Sequence, residues 1–279
     1  MGNNKKDALG DRMKSYYENR AKTYLTRRSP VVIRIDGRAF HSFTKNFKKP
    51  YDEVFHKAMN STLQYLCKNI QGCKFGYTQS DEISLLLTDY DTLTTDAFFD
   101  YNVQKVCSIA ASMTTLAFNK FFAEEVNTWD KANDLSAISY NNDGKDSVLV
   151  KLHDTYWKAY QKGAMFDARC FNIPISEITN YCISRQQDAT RNAIQMLGQT
   201  HFSSGQLHKK STSDIQEMLW SEKNINFNDM PIEFKRGVCC YKRSIDVNGA
   251  ARTEWYIDKE CPIFTQDRGY IERCLPKEA

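Results

Sequence analysis

The sequence predicts an α+β fold: an antiparallel sheet with helices on one face, in the order βαββαβ, followed by appended helices and a β-hairpin. Three observations carry that reading. Val31–Gly37 reads VVIRIDG, an apolar β-branched run that ends in a carboxylate and a glycine. Residues 75–87 read FGYTQSDEISLLL, two apolar runs split by a polar cluster, as a hairpin requires. Residues 54–70 and 95–122 repeat apolar side chains at helical spacing.

In chain order, residues 7–26 carry Leu9, Met13, Tyr16, Tyr17, Ala21, Tyr24 and Leu25 at roughly helical spacing. Arg12, Lys14, Arg20 and Lys22 make the other face basic, and Ser29-Pro30 stops the helix. The first strand follows, with Asp36 at its end, where a carboxylate does little for a core. Gly37 lets the backbone turn tightly or a ligand approach its carbonyl. Arg34, a charge between Ile33 and Ile35, must leave the core or meet an anion, and it shares a strand face with Asp36. A lysine-bearing loop, 44–51, leads to a helix begun by Pro50 and Asp52. Val54, Phe55, Ala58, Met59, Leu63, Leu66 and Ile70 mark its buried stripe.

The hairpin then puts Asp81 and Glu82 at its tip. If its strands pair with the first, Asp36 and Asp81 meet at one edge of one sheet. Two carboxylates at adjacent strand ends are what a pair of divalent cations needs to clamp a phosphate. Solvated turns are the plainer reading of each acid alone, since Asp-Gly is a common turn pair. Glu82 is expected to point away from Asp81 and to tune the site or pair with a basic residue.

The second helix, 95–122, has Phe98, Val106, Ile109, Ala110, Met113, Leu116, Ala117 and Phe121 apolar, and residues 165–173 supply the closing strand. The resulting order is the ferredoxin-like plan. Between them, 127–163 reads as an insertion, with turns at Asn133-Asp134 and 141–144 and a short helix at 148–160. Residues 174–202 are helical, with Ser176 as N-cap and Glu177 in the first turn. Residues 213–223 form another helix, with a capping box from Ser213 and Gln216. Strands 237–243 and 251–258 flank Asn248-Gly249, a strong hairpin signal. The tail from Cys261 shows no periodicity. The expected division is a palm-like domain over 1–173 and a helical and hairpin part over 174–279 packed on it.

Composition narrows the partners. A net charge of +4 in 279 residues excludes a histone-like polycation. The basic residues do cluster, at Arg27-Arg28, Lys45 with Lys48-Lys49, Lys209-Lys210, Lys235-Arg236 and Lys242-Arg243. Such pairs suit either nucleic acid or a solvated face. Nine cysteines without a C-x-x-C pair, and five histidines, give no zinc spacing. An odd thiol count behind a polar N-terminus suggests a reducing, cytoplasmic setting, with Cys239-Cys240 as strand core. No apolar run is expected to approach a membrane span.

A resemblance sharpens the acids' role. RIDGRAFHSF, KKPYDE and GYTQSDEISLLL, with LGDRMKSYYE before them, are similar to the tRNA-His guanylyltransferase superfamily and its Thg1-like branch. FDARCFNIP, SRQQDATRNAIQ, NINFNDMPIEFKRG and CPIFTQDRGYI continue the likeness in order over nearly the whole chain. The family resembles polymerase palms in fold, yet adds nucleotides to the 5′ end of RNA. The resemblance implies that Asp36, Asp81 and Glu82 form the catalytic centre, and that Asp36, Asp81 and the Gly37 carbonyl hold two Mg²⁺. It places Arg34, Arg38, Phe40, His41, Lys49, Asp52, Ser80, Lys105 and Asn226 around the nucleotide. The basic pairs Arg27, Arg28, Lys209, Lys210, Lys235 and Arg236 are the candidates for tRNA contact. ATP and GTP or other nucleoside triphosphates are the implied substrates, tRNA the partner, and a homotetramer built from dimers the assembly.

The chain departs from the tRNA-His-specific branch in one run. Where that branch carries HINNLYN, this sequence has TRNAIQM, Thr190 to Met196, and only Asn192 survives. A D-K-N-E run becomes Asp214-Ile215-Gln216-Glu217. This favours the branch that repairs truncated tRNA 5′ ends by copying the opposite strand. The implied reaction is activation of a 5′-monophosphate end by ATP, then attack by the 3′-hydroxyl of an incoming triphosphate; a 5′-triphosphate end needs no activation. Alternatives are a non-templated tRNA-His guanylyltransferase, a palm-type nucleotide cyclase, and an RNA-binding protein with a decayed site, against which the intact Asp36, Gly37 and Asp81 argue.

Overall fold

The computed structural model describes residues 8–133, 148–247 and 249–276. Strands β1 (Val31–Gly37), β2 (Cys73–Gln79), β3 (Glu82–Leu87), β4 (Phe166–Asn172), β5 (Val238–Val247) and β6 (Ala250–Asp258) form one sheet. Its order is β4-β1-β3-β2-β5-β6 and every pairing is antiparallel. The α-helices are α1 (Ala8–Met13), α2 (Phe40–Phe43), α3 (Glu53–Asn69), α4 (Val103–Ala132), α5 (Val148–Lys162), α6 (Ile178–His201), α7 (Ser204–Leu207), α8 (Thr212–Lys223), α9 (Ile232–Arg236) and α10 (Gly269–Glu272).

Strand alternation divides the core into two layers. Val31, Ile33 and Ile35 of β1 and Ile83, Leu85 and Leu87 of β3 meet α3 and α4 on one face. Val32, Leu86, Phe75 and Tyr77 point the other way, onto Ile178 and Cys182 of α6 and the C-terminal tail. The βαββαβ plan is therefore present as expected, with α3 and α4 on one face. The appended part covers the opposite face and, through β5 against β2, lengthens the sheet. All seven residues of the stripe expected on α3 are buried, and the Asp52 side chain caps that helix at the Phe55 amide. The unpatterned tail is core: Cys261, Phe264, Tyr270 and Ile271 are buried.

Several boundaries differ from expectation. The N-terminal helical segment ends at Ala21, through a π turn and a 3-10 turn, and none of its described residues is buried. Leu9, Tyr16, Tyr17 and Tyr24 are exposed. With no packed face, little holds such a helix beyond local propensity, and Tyr24 instead forms a bridge with Asn102. The second helix begins at Val103 rather than 95, because the Asn102 side chain caps it at the Lys105 amide, and it runs on to Ala132. Residues 98–101 form a 3-10 turn in which Phe99 and Asp100 are left-handed. Ser176 lies inside a 3-10 turn and caps nothing; α6 starts at Ile178. The capping box of α8 is Ser211 with Asp214, not Ser213 with Gln216. The β5–β6 hairpin closes as expected, with Gly249 at φ 79°; Asn248, Asp134 and the turn at 141–144 lie outside the described residues.

By length and composition α4 would suffice to cross a bilayer. It is a core helix here, with Val106, Ala110, Ala117, Phe118, Phe122 and Val126 buried. All nine cysteines are free, and Cys239 and Cys240 are fully buried in β5.

Candidate active site

The two acids singled out by sequence come together at one edge of the sheet. Asp36, next to last in β1, stands directly across from Glu82 at the start of β3, and Asp81 is the second residue of the turn before it. Ser80 supplies the left-handed first residue of that turn, at φ 49°, and its hydroxyl lies 3.1 Å from an Asp81 carboxylate oxygen. On the β1 side the chain leaves through Gly37 and Arg38 to Ala39, also left-handed at φ 54°, and into α2. Gly37 has no room for a side chain: a Cβ there would stand 2.2 Å from the Phe40 ring.

A cavity of about 480 Å³ opens beside this edge. Gly37, Ser80 and Asp81 line its end near the sheet, and His41, Lys48 and Lys49 bring basic groups. Phe40, Phe47, Phe55 and Pro50 contribute apolar surface, and Ala189, Asn192, Ala193 and Met196 of α6 form a wall. A cavity of this size with a few convergent polar groups suits a nucleotide-sized ligand.

Electrostatics at the edge favour a cation. Burial first, and then the nearby charge of Asp36, push the Asp81 carboxyl up to about 6, while its own backbone amide and Ser80 pull the other way. A buried carboxylate raised in part by a neighbouring negative charge relaxes when a cation lies beside it. Among the described residues no group of three or more His, Cys, Asp or Glu converges. The donor set is thus two carboxylates with backbone oxygen nearby, which matches Mg²⁺, an ion usually held by one or two carboxylates together with water and substrate phosphates.

Of the other residues singled out by sequence, Phe40, His41, Lys49, Asp52 and Ser80 line the cavity. The Asp52 carboxylate is occupied by protein donors: the Phe55 amide at 3.0 Å, the Lys48 amide at 2.9 Å and the Tyr156 hydroxyl at 2.7 Å. Glu82 turns onto the sheet face away from the two-helix core and is buried against Arg34 Nη2 at 2.5 Å and Arg185 Nη1 at 3.5 Å. Arg34 therefore meets a carboxylate rather than the cavity. Arg38 is exposed with Nη1 3.8 Å from Met165 Sδ, Lys105 lies over the Phe99 ring, and Asn226 caps the turn Phe227–Asp229; none of these three lines the cavity.

The basic pairs are divided. Lys209 and Lys210 are exposed after α7. Arg27 binds Asp89 at 2.6 Å and Asp100 at 2.8 Å, and the Arg28 amide donates to Asp89. Lys235 is buried, its ammonium donating to the Asn228 carbonyl, and Arg236 is half-buried beside it.

Sequence reasoning did not anticipate the α6 wall, nor Glu233 and Phe234 of α9, which also line the cavity. The spacing 189, 192, 193, 196 marks one helical face, but only tertiary packing shows what that face meets.

Comparison with known proteins shows the family and the fold. Residues 10–174 match a family model described as Thg1, tRNAHis guanylyltransferase. The solved structure of a bacterial tRNA(His) guanylyltransferase (Thg1)-like protein in complex with ATP is 40% identical, with TM-score 0.77, covering 96% of this chain and 98% of that one. A bacterial Thg1-like protein in complex with GTP is 37% identical, with TM-score 0.74 and coverage of 96% and 99%. The tRNA(His) guanylyltransferase of Kluyveromyces lactis is 31% identical over 225 residues, 74% of this chain and 80% of that protein.

Proposed function

The chain belongs to the tRNA-His guanylyltransferase family of nucleotidyltransferases that add nucleotides to tRNA 5′ ends, and from that membership we propose that it is a template-dependent 3′-to-5′ polymerase that repairs truncated 5′ ends. The observation that carries the templated reading is the α6 wall. The run that departs from the tRNA-His-specific branch faces the cavity with Asn192, Ala193 and Met196, so two of its three lining side chains offer no hydrogen bond to a base. A wall of that kind leaves the choice of nucleotide to pairing with the opposite strand.

Asp36 and Asp81, with the Gly37 carbonyl, would hold two Mg²⁺. Bound there, the ions lower the pKa of the attacking 3′-hydroxyl and stabilise charge on the transferring phosphate. Lys48, Lys49 and His41 bring donors that neutralise the triphosphate, and Ser80 keeps Asp81 oriented. Phe40, Phe47 and Pro50 exclude water around the base. ATP serves to activate a 5′-monophosphate end, and the other triphosphates enter as the nucleotide to be added. The purine triphosphates held by the bacterial relatives agree with such a cavity. Lys209 and Lys210 are the exposed candidates for tRNA phosphate contact. Self-association into a tetramer is favoured by the exposed apolar Leu116 of α4, Tyr160 of α5 and Met165 just before β4, which line one open cleft, and is read by light scattering.

The test is a set of tRNAs lacking the first 5′ nucleotide, with each of the four bases opposite, incubated with Mg²⁺ and single triphosphates. The added nucleotide should follow the opposing base on more than one tRNA. Guanosine added whatever stands opposite, and only on tRNA-His, would overturn the templated reading.

A further inference from the structure

We infer that Arg185, on α6, is a positioning residue for the carboxylate pair: it holds Glu82, and through Glu82 the Ser80-Asp81 turn that carries a cation ligand. The inference deepens the function proposed above and rests on Asp36 and Asp81 being the cation ligands.

Glu82 stands directly across from Asp36 and adjoins Asp81 in the chain. It is only 7% exposed, so its charge must be matched by protein cations. Arg34 of the same sheet face supplies one, at 2.5 Å, and Arg185 the second, at 3.5 Å. Arg185 is itself set by Asp188 one turn on, which also pairs with Arg191. One turn before it, the Tyr181 hydroxyl lies 2.9 Å from the Ser84 hydroxyl of β3. Helix α6 is thus fastened to the catalytic hairpin at residues 181 and 185, and its next turns form the cavity wall at Ala189, Asn192 and Ala193.

Docking alone does not call for this cluster. Ile178 and Cys182 of α6 already pack into the apolar layer on that sheet face. The ionic hub is also incompletely satisfied, since Arg34 Nε, Arg185 Nε and Glu82 Oε1 are buried without hydrogen-bond partners. A group of apolar side chains would anchor the helix at lower desolvation cost. What apolar residues cannot do is neutralise an ionised carboxylate that stands directly across from Asp36 and next to Asp81. Without Arg185, Glu82 is held by Arg34 alone, and the turn bearing Asp81 loses its link to α6.

Residues behind a metal ligand set its affinity by about 10–100-fold when removed. The experiment measures Mn²⁺ binding by the whole chain without nucleotide or RNA, using electron paramagnetic resonance. Arg185→Ala should weaken binding about tenfold, and Arg185→Lys should recover most of that loss. In an Glu82→Gln background, Arg185→Ala should add little, because the contact through which it acts is already gone. Binding of ATP without divalent cation should change less than twofold. Unchanged Mn²⁺ affinity in Arg185→Ala, or an effect that adds fully to Glu82→Gln, overturns the inference. If Arg185→Ala does not fold, the same cycle with Arg185→Gln, which removes the charge and keeps the length, decides it. Asp36→Ala and Asp81→Ala run alongside. If neither weakens Mn²⁺ binding, the cation-site reading fails; if both do and the Arg185 variants do not, only the positioning role fails.

Discussion

Replacing Asp81 with Asn should make the protein more stable at neutral pH while abolishing nucleotide addition. Burial, and then the charge of Asp36, raise the Asp81 carboxyl from 3.8 to about 6. In the unfolded chain the group returns to its ordinary value. Between about pH 4 and pH 6 the folded state therefore binds a proton that the unfolded state has lost. Linkage then makes stability fall as pH rises through that window. At about 1.4 kcal/mol per pH unit, the span amounts to ~3 kcal/mol lost at pH 7, and the half-exposed position of Asp36 trims this to ~2 kcal/mol. Asn has the same shape without the charge. Urea denaturation in the absence of divalent cations should show the variant ahead by ~2 kcal/mol at pH 7.5 and level with the parent at pH 4. Mg²⁺ should stabilise the parent and not the variant. A gain of equal size at both pH values, or none at pH 7.5, would refute the argument that the charge on Asp81 is the source.

Three further outcomes are expected. Asp36→Ala should lower single-turnover nucleotide addition by about a thousandfold or more and leave tRNA affinity within a few-fold, as read by filter binding. Gly37→Ala should displace the Phe40 ring, because the new Cβ would lie 2.2 Å from it; binding of ATP, followed by calorimetry, should weaken about tenfold as the cavity floor shifts. Leu63→Ala, at a side chain with no exposed surface, should cost about 3 kcal/mol in urea denaturation without altering which nucleotide is added.

The parts of the fold legible in the sequence are those set by local pattern. The β1 run, the α3 stripe and the hairpin around Asp81 each bury the residues their spacing predicts. The N-terminal helix failed as a prediction of length because its apolar residues, Tyr16 and Tyr17 among them, find no surface to cover. The expected start of α4 at residue 95 lies seven residues before Asn102, whose cap sets the start, a choice that spacing alone does not register. Convergence of Asp36 and Asp81 followed from strand pairing. The partners of Glu82 did not, since Arg185 lies more than a hundred residues away, on a helix whose docking depends on the opposite sheet face. Lys235 looked like surface charge in the sequence and is buried because α9 packs it back onto the Asn228 carbonyl.

The way the site is built separates chemistry from selection. Asp36 and Asp81 belong to strand ends backed by Ile33, Ile35 and Ile83, none of which has exposed surface. The two non-glycine residues flanking them, Ala39 and Ser80, are held in left-handed backbone, at a cost of about 1 kcal/mol or more each. Such strain persists only where the surrounding packing leaves no alternative, so this edge tolerates little change. The α6 wall is different. Ala193 and Met196 reach the cavity from a helix held to the sheet by Ile178, Cys182, Tyr181 and Arg185, all earlier in the helix. The cavity-lining Asn192, Ala193 and Met196 lie beyond those anchors and apart from the strained turns. On the function proposed above, residues on this helix alone could then alter how the incoming base is accepted while the Asp36–Asp81 edge stays fixed.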